Sequence, residues 1–290
     1  MITYKVLSEF PIKDVSELWN KAFEGYIVNA SMPLDRFITR VASEGLSLEH
    51  SFACYVNGEQ AGIVMGGFRE VSGKKVAWNG GTAVVPAFRG KGIGKAMIAR
   101  NLELYAELVV DVAYLEAIST NESAIRLYET MNYELVDRLI LLSNEHKLDM
   151  TDWSSHSYTV TRGLAIEVGT LPFYTPGEVW QSQLPSLKDG ESVTVYDGDE
   201  AVGYGLFRRT FDSYGNLAGI TLLRCESVPN RLDRESIVKA ALREIWQPTR
   251  NCKRTVHNIR ASNRILIELL DQLGFNVFME QVLMVQHLNK

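Results

Sequence analysis

Between a strand-like run and a helix-like run, the segment Val84-Val85-Pro86-Ala87-Phe88-Arg89-Gly90-Lys91-Gly92-Ile93-Gly94-Lys95-Ala96 places three glycines at alternate positions. Glycine reaches positive φ without steric cost, so such a turn curls tightly and lets another molecule approach its backbone. N–H groups converging at a helix N-terminus attract phosphate oxygens. Arg89, Lys91 and Lys95 add positive charge. The expected chemistry is binding of a phosphorylated ligand by Arg89, Gly90, Lys91, Gly92, Ile93, Gly94 and Lys95. A Walker loop needs GxxxxGK[ST], which the segment lacks, and a dinucleotide fingerprint would follow an early strand of a βαβ unit. A second informative segment follows, Asn121-Glu-Ser-Ala124-Ile-Arg-Leu127-Tyr128-Glu-Thr-Met-Asn132-Tyr133. Tyr128 carries a phenol, which ordinarily titrates near 10; taken by itself it reads as a packing aromatic. Asn121 suits a helix N-cap.

The run Arg89-Gly90-Lys91-Gly92-Ile93-Gly94 resembles the [RQ]xxGxG/A pyrophosphate signature of the GCN5-related N-acetyltransferases (GNAT superfamily). The segment from Asn121 to Tyr133 resembles that family's NxxAxxLYxxxGF, with Asn132 for Gly and Tyr133 for Phe. Both motifs stand in the family's order. The resemblance covers residues 1 to 142 well and the remainder as an echo. It implies an α/β architecture, a mixed sheet flanked by helices and splayed between its fourth and fifth strands, with acetyl-CoA in the gap. The coenzyme arm is expected along Ala83, Val84 and Val85 and near Asn121 and Ala124. Tyr128 is expected to protonate the leaving sulfur as an amine attacks the thioester. Many members carry a Glu on the fourth strand, but Trp78-Asn79-Gly80-Gly81-Thr82-Ala83 has none. Asn79 and Thr82 remain candidates to orient water or the acceptor, and Glu116 is a candidate base. Tyr26 lies in the aromatic stretch Phe23 to Pro33, where the acceptor is expected to enter.

Positioning these residues requires a particular series of elements. Ile2 to Leu7 alternates as a strand. Asp14 is a candidate N-cap before Val15, Leu18, Trp19, Ala22 and Phe23, and a second helix follows Pro33 with Leu34, Phe37, Ile38 and Val41 on one face. Asn57-Gly58 joins two strands as a hairpin, and Lys74 to Val85 completes the meander. A helix from Ile93, a strand from Val112, a helix from Asn121 and a strand from Tyr133 finish the order β-α-α-β-β-β-α-β-α-β.

The second half echoes the first. Tyr55-Val-Asn-Gly58 resembles Tyr196-Asp-Gly198, Pro86 matches Pro229, Asn121 matches Asn263, and Asn132-Tyr133 matches Gly274-Phe275. These pairs lie about 142 residues apart, a tandem duplication and not a short-period array. The expected domains are 1–145 with the intact site, a polar linker at 146–160, and a degenerate copy at 161–290 whose start holds only a short helix around Pro176 to Leu184. Aligned from Pro229, Arg89 falls on Leu232, Gly92 on Glu235, Gly94 on Ile237 and Tyr128 on Leu270. The copy is therefore expected to have lost the coenzyme.

Composition narrows the partners. The 290 residues are 46% hydrophobic and 22% charged with a formal net charge of −5. That gives no support to nucleic acid as partner, which calls for a basic face. No apolar run approaches a membrane span, and no signal pattern opens the chain, so a cytoplasmic protein is expected. Cys54, Cys225 and Cys252 form no CxxC pair, arguing for buried thiols and against a metal. The expectation is an acetyl-CoA-dependent N-acetyltransferase acting on a small-molecule amine, monomeric or homodimeric. A non-catalytic acyl-CoA sensor and a protein or peptide N-acetyltransferase are the alternatives.

Overall fold

Residues 1–153 and 158–288 are described in the computed structural model. The chain folds as two units, Met1–Val136 with the segment from Val282 onward, and Asp137–Gln281.

The first unit begins with β1 (Ile2–Val6), α1 (Ile12–Ala22), α2 (Leu34–Glu44), β2 (Leu46–Val56), β3 (Glu59–Val71) and β4 (Lys74–Val84). It continues with α3 (Ile93–Glu107), β5 (Val112–Ile118), α4 (Glu122–Thr130) and the start of β6 (Glu134–Asn144). The Asn57-Gly58 hairpin forms as expected, both residues at positive φ, the conformation a two-residue hairpin turn needs. β1 to β4 pair antiparallel in sequence order, and β4 pairs parallel with β5. Helix α1 starts at Ile12 with Pro11 at the cap position, so Asp14 is a first-turn residue and not the N-cap; proline at a helix start loses only an N–H that has no intrahelical partner. α2 starts after Pro33, but of its apolar stripe only Phe37 is buried, while Leu34 and Ile38 stay exposed. Asn132 sits at φ 64 and ends α4, the left-handed stop expected of it.

The second unit holds the rest of β6, then β7 (Thr159–Leu164), β8 (Glu191–Asp197), β9 (Glu200–Phe211) and β10 (Leu217–Ser227). α5 (Arg234–Trp246), β11 (Lys253–Arg260), α6 (Arg264–Gln272) and β12 (Asn276–His287) follow. β6 pairs antiparallel with β11 through Arg254–Arg260. β12 crosses the division: its first half lies in the second unit, and from Val282 it belongs to the first, in strand order beside β5. These limits differ from the expected 1–145 and 161–290. The expected linker also contributes to a core, because Leu148, Met150 and Trp153 are buried with Trp246 and Leu266 in the second unit. Three spaced apolar side chains within a polar run were enough to anchor it; its residues 154–157 lie outside the described residues. The helix expected near Pro176 to Leu184 is replaced by two short 3-10 turns, Trp180–Ser182 and Leu184–Ser186. Pro185 suits the first turn of the latter and prevents a longer helix through it.

All three cysteines are buried, as expected. On β11, burial and then the neighbouring Arg208 guanidinium push His257 down from its ordinary 6.5 to about 4. Between those values the unfolded chain binds a proton that the folded chain does not, so stability falls as pH falls from about 6.5 to about 4. Denaturant titrations of wild type and His257→Gln across that window check this. The variant should lose roughly one proton's worth of slope, and an unchanged slope would remove His257 from the acid response.

Candidate active site

The gap in the first unit's sheet begins at a bulge. β3 and β4 stay paired up to Gly62↔Val84, but β4 and β5 pair only from Val76↔Val112 to Asn79↔Leu115. Gly80 is the extra residue of the bulge, between the pairs Met65↔Gly81 and Gly66↔Asn79. Glycine is required at both positions by close approach. A Cβ on Gly80 would come within 2.6 Å of the Leu46 side chain, and one on Gly81 within 2.5 Å of the Trp19 ring. Arg40 Nη2 donates to the Gly80 carbonyl at 2.6 Å while the guanidinium lies 4.7 Å from the Trp19 ring centroid. A bulge carbonyl that no longer faces β5 is thus satisfied from α2. Sequence reading missed Arg40, whose one available signal was its i,i+4 spacing to Glu44, a pair that forms at 3.0 Å.

The glycine-rich turn has the conformation that its composition requires. Gly90 and Gly92 lie at φ 73 and 77, and a Cβ added at either would meet nothing within 4 Å. Gly92 is the N-cap of α3. The first-turn N–H groups of Ile93, Gly94 and Lys95 therefore have no intrahelical acceptor, and the space before them is open. The residues present fit a phosphate group there.

Arg89 departs from its expected role. Its Nε donates to the Val84 carbonyl at 2.9 Å, and its Nη2 donates to the Ala22 and Glu24 carbonyls at 3.0 and 2.5 Å. The guanidinium binds the end of α1 to the end of β4 instead of pointing a free cation at the turn. Lys91 Nζ donates to the Ala87 carbonyl at 2.9 Å, and Lys95 is exposed on the first turn of α3. The expected β4 edge is likewise narrower. The Val85 N–H donates to the Ala61 carbonyl of β3 at 2.8 Å. By strand alternation the main-chain groups of Val84 face the gap, where its carbonyl is already taken by Arg89. The Val84 N–H is what remains for a ligand, and Ala83 and Val85 turn toward β3.

Five side chains gather at the gap. The Thr82 hydroxyl lies 2.9 Å from Asn79 Nδ2 and 3.0 Å from Asn79 Oδ1, and Asn79 Oδ1 also accepts the Gly81 N–H at 3.1 Å. The Tyr128 phenol lies near Thr82, which favours its ionised form. Asn121 caps α4, its Oδ1 accepting the Ala124 N–H at 3.2 Å, while its Nδ2 donates to the Tyr26 hydroxyl at 3.1 Å. Ala124 thus spends its N–H on the cap and leaves none for a coenzyme. Burial, then the nearby Tyr26 and Tyr105, raise the Tyr128 phenol well above its ordinary 10, against an opposing effect of Thr82. The sequence expectation of an ordinary phenol is corrected accordingly: the proton is held more tightly because the ring is enclosed among Ala113, Leu115, Ala117 and Tyr133. Glu116 is not part of this group. Its neighbours Leu115 and Ala117 pack with Tyr128, so alternation turns Glu116 to the other face, where it accepts from Trp78 Nε1 at 2.6 Å.

The second unit repeats this geometry with different residues. Its bulge lies at Leu223, between Leu206↔Arg224 and Phe207↔Leu222, and β10 leaves β11 after Leu222↔Val256. The Val228 N–H donates to Val202 at 2.8 Å, as Val85 does to Ala61, and Asn263 Oδ1 accepts the Leu266 N–H at 3.4 Å, as Asn121 does for Ala124. Register therefore puts Leu222 at the place of Asn79, Arg224 at Gly81, Cys225 at Thr82 and Leu270 at Tyr128. Helix α5 begins after Asp233, so Asp233, and not Glu235, corresponds to Gly92; the turn before it is two residues shorter than alignment from Pro229 assumed. Arg231 Nη2 donates to Asp233 and Asp197, both at 2.7 Å, and the Tyr158 hydroxyl donates to Asp233 at 2.7 Å. Ion pairs fill the turn that is open in the first unit.

Among the described residues no helix is long and apolar enough to cross a membrane, and no cluster of His, Cys, Asp or Glu could hold a metal ion. No curated protein matches the chain in sequence. Solved structures match along its whole length. A tandem GNAT protein from the clavulanic acid biosynthesis pathway is 13% identical, with a TM-score of 0.66 over 100% of this chain and 99% of that one. A putative acetyltransferase from Pyrococcus horikoshii is 15% identical, with a TM-score of 0.63 over 100% and 89%. A GCN5-related N-acetyltransferase from Sphaerobacter thermophilus is 14% identical, with a TM-score of 0.64 over 100% and 96%. Residues 12–133 match the acetyltransferase (GNAT) family itself. The bulged and splayed sheet, the open glycine turn and these likenesses converge: residues 12–133 form a domain of the acetyltransferase (GNAT) family, and the chain as a whole shares the fold of tandem GNAT proteins.

Proposed function

We propose that the first unit transfers an acetyl group from acetyl-CoA to a primary amine of a small molecule. The observation that carries this reading is the Asn79–Thr82 hydrogen-bonded pair beside the buried Tyr128 phenol at the mouth of the strand gap, next to a turn whose positive-φ glycines have no neighbour within 4 Å of an added Cβ. The N–H groups of Gly92 to Lys95 and of Val84 hold the coenzyme, which supplies the activated acyl group as a thioester. Tyr128 keeps its proton through the neutral range and gives it to the leaving sulfur, and the proton that the acylated amine nitrogen releases returns to the phenolate through solvent. Asn79 and Thr82 present polar atoms to the incoming amine. Tyr26, held by Asn121, borders the acceptor side. Arg89 sets the register between the loop carrying Tyr26 and the turn. The second unit, with Leu270 for Tyr128 and an ion-paired turn, takes no part in the chemistry.

Two measurements on the full chain test this. Calorimetric titration with acetyl-CoA should give one site per chain, and two equivalent sites would overturn the assignment of the second unit. Thiol release followed over a panel of small amines should exceed the amine-free rate for at least one of them. Tight coenzyme binding without thiol release for any small amine would favour the acyl-CoA sensor, and release only with peptides would favour a protein acceptor.

A further inference from the structure

The second unit keeps a cavity where its strands part, with a volume of about 400 Å³, within the range of small-molecule sites. Its lining includes Arg224, Arg234, Arg260 and Arg264 against two carboxylates, Glu178 and Glu226. Both carboxylates are already engaged. Glu178 accepts from Arg260 at 2.5 Å, and Asp137 also pairs with Arg260 at 2.7 Å. Glu226 lies 3.5 Å from Arg224, which also donates to the Thr175 carbonyl at 2.8 Å. Arg234 makes one side-chain hydrogen bond, to the Ser227 hydroxyl at 3.1 Å, and, among the described residues, no ion pair. Arg264 has no side-chain partner among the described residues. Two guanidinium groups thus border the cavity without an opposing charge, and each offers donors in the planar fork that matches carboxylate or phosphate.

We infer that this cavity binds a small anionic molecule, carrying a carboxylate pair or a phosphomonoester, on Arg234 and Arg264. Coenzyme A is a poor occupant, because its phosphates would meet Asp233, at the start of α5, and Asp197, at the end of β8. The inference does not depend on the chemistry of the first unit. It gives a reason for the cavity to persist after Asn79, Thr82 and Tyr128 were replaced by Leu222, Cys225 and Leu270 in this half.

The test uses the full chain at fixed ionic strength, with calorimetry and thermal unfolding in two arms: succinate and citrate in one, inorganic phosphate and glycerol phosphate in the other. At least one probe should bind with Kd below about 1 mM, and the arm that responds identifies the anion class. In Arg234→Ser/Arg264→Ser the affinity should fall about tenfold or more, the size of losing a charged hydrogen bond. Circular dichroism and unchanged acetyl-CoA binding verify that this variant is folded. A Lys74→Ser/Lys188→Ser control, with the same loss of charge elsewhere, should bind as wild type. No binding in either arm, equal binding by the arginine variant, or equal loss in the lysine control each overturns the inference. Displacement of the probe by acetyl-CoA in the Gly92→Asp background also overturns it, since the cavity would then be a second coenzyme site.

Discussion

Gly92→Asp is expected to abolish acetyl-CoA binding while leaving the protein folded. The substitution carries into the first unit the residue type that holds the N-cap position of α5 in the second. A carboxylate about 4 Å from a pyrophosphate charge costs about 4 kcal/mol at an effective dielectric constant near 20, roughly a thousandfold in Kd. Against this, the folding cost is small. A side chain at φ 77 is strained by about 1–2 kcal/mol, aspartate is among the residues that tolerate this region, and it is a favourable N-cap. The Cβ itself meets no neighbour within 4 Å. Gly92→Asn supplies the same shape without the charge and should retain most of the affinity that Gly92→Asp loses. Calorimetry with acetyl-CoA, alongside circular dichroism, reads both. If Gly92→Asp binds the coenzyme as wild type does, the turn is not the phosphate site.

Tyr128→Phe should lower kcat by about 10²–10⁴, the usual range for a positioned general acid, with little change in coenzyme affinity. The ring stays in place, packed edge-on against Tyr133 at 5.9 Å. Thr82 keeps its hydrogen bonds to Asn79. An interaction made only as the sulfur leaves shows in kcat and kcat/KM together. Because burial raises the phenol above its ordinary range, the wild-type pH–rate profile should show no Tyr128 ionisation near 10. The measurement follows the amine panel, under conditions where chemistry limits turnover. An unchanged kcat there would exclude Tyr128 as the proton donor.

Much of the first unit was legible because its signals are local. Asn57-Gly58, Asn132 and the three alternating glycines announce positive φ by residue type, and the structure has these backbone conformations at Asn57, Gly58, Asn132, Gly90 and Gly92. What escaped sequence reading depends on residues far apart in the chain. Arg89 looks like a phosphate cation by its motif, yet three carbonyls from Ala22, Glu24 and Val84 claim it. Glu116 was a candidate base until strand parity became visible, and one residue of register reverses the face of every side chain on a strand. The duplication was readable from matched landmarks, but the shorter turn before α5 shifted Asp233 into the place assigned to Glu235. The stretch around Leu148, Met150 and Trp153 reads as polar linker because its three buried anchors follow neither a helical nor a strict strand period.

The course of β12 bears on why a half without the polar series has been kept. Val282 and Met284 are buried in the same cluster as Tyr128, Tyr133 and Leu115. The wall behind the proposed proton donor is therefore encoded a whole repeat downstream of it. A stop codon after the first repeat would not release an independent enzyme; it would strip a strand from beside β5 and open that cluster to water. Deleting the second repeat would therefore also remove part of the first unit's core, whatever chemistry that repeat carries.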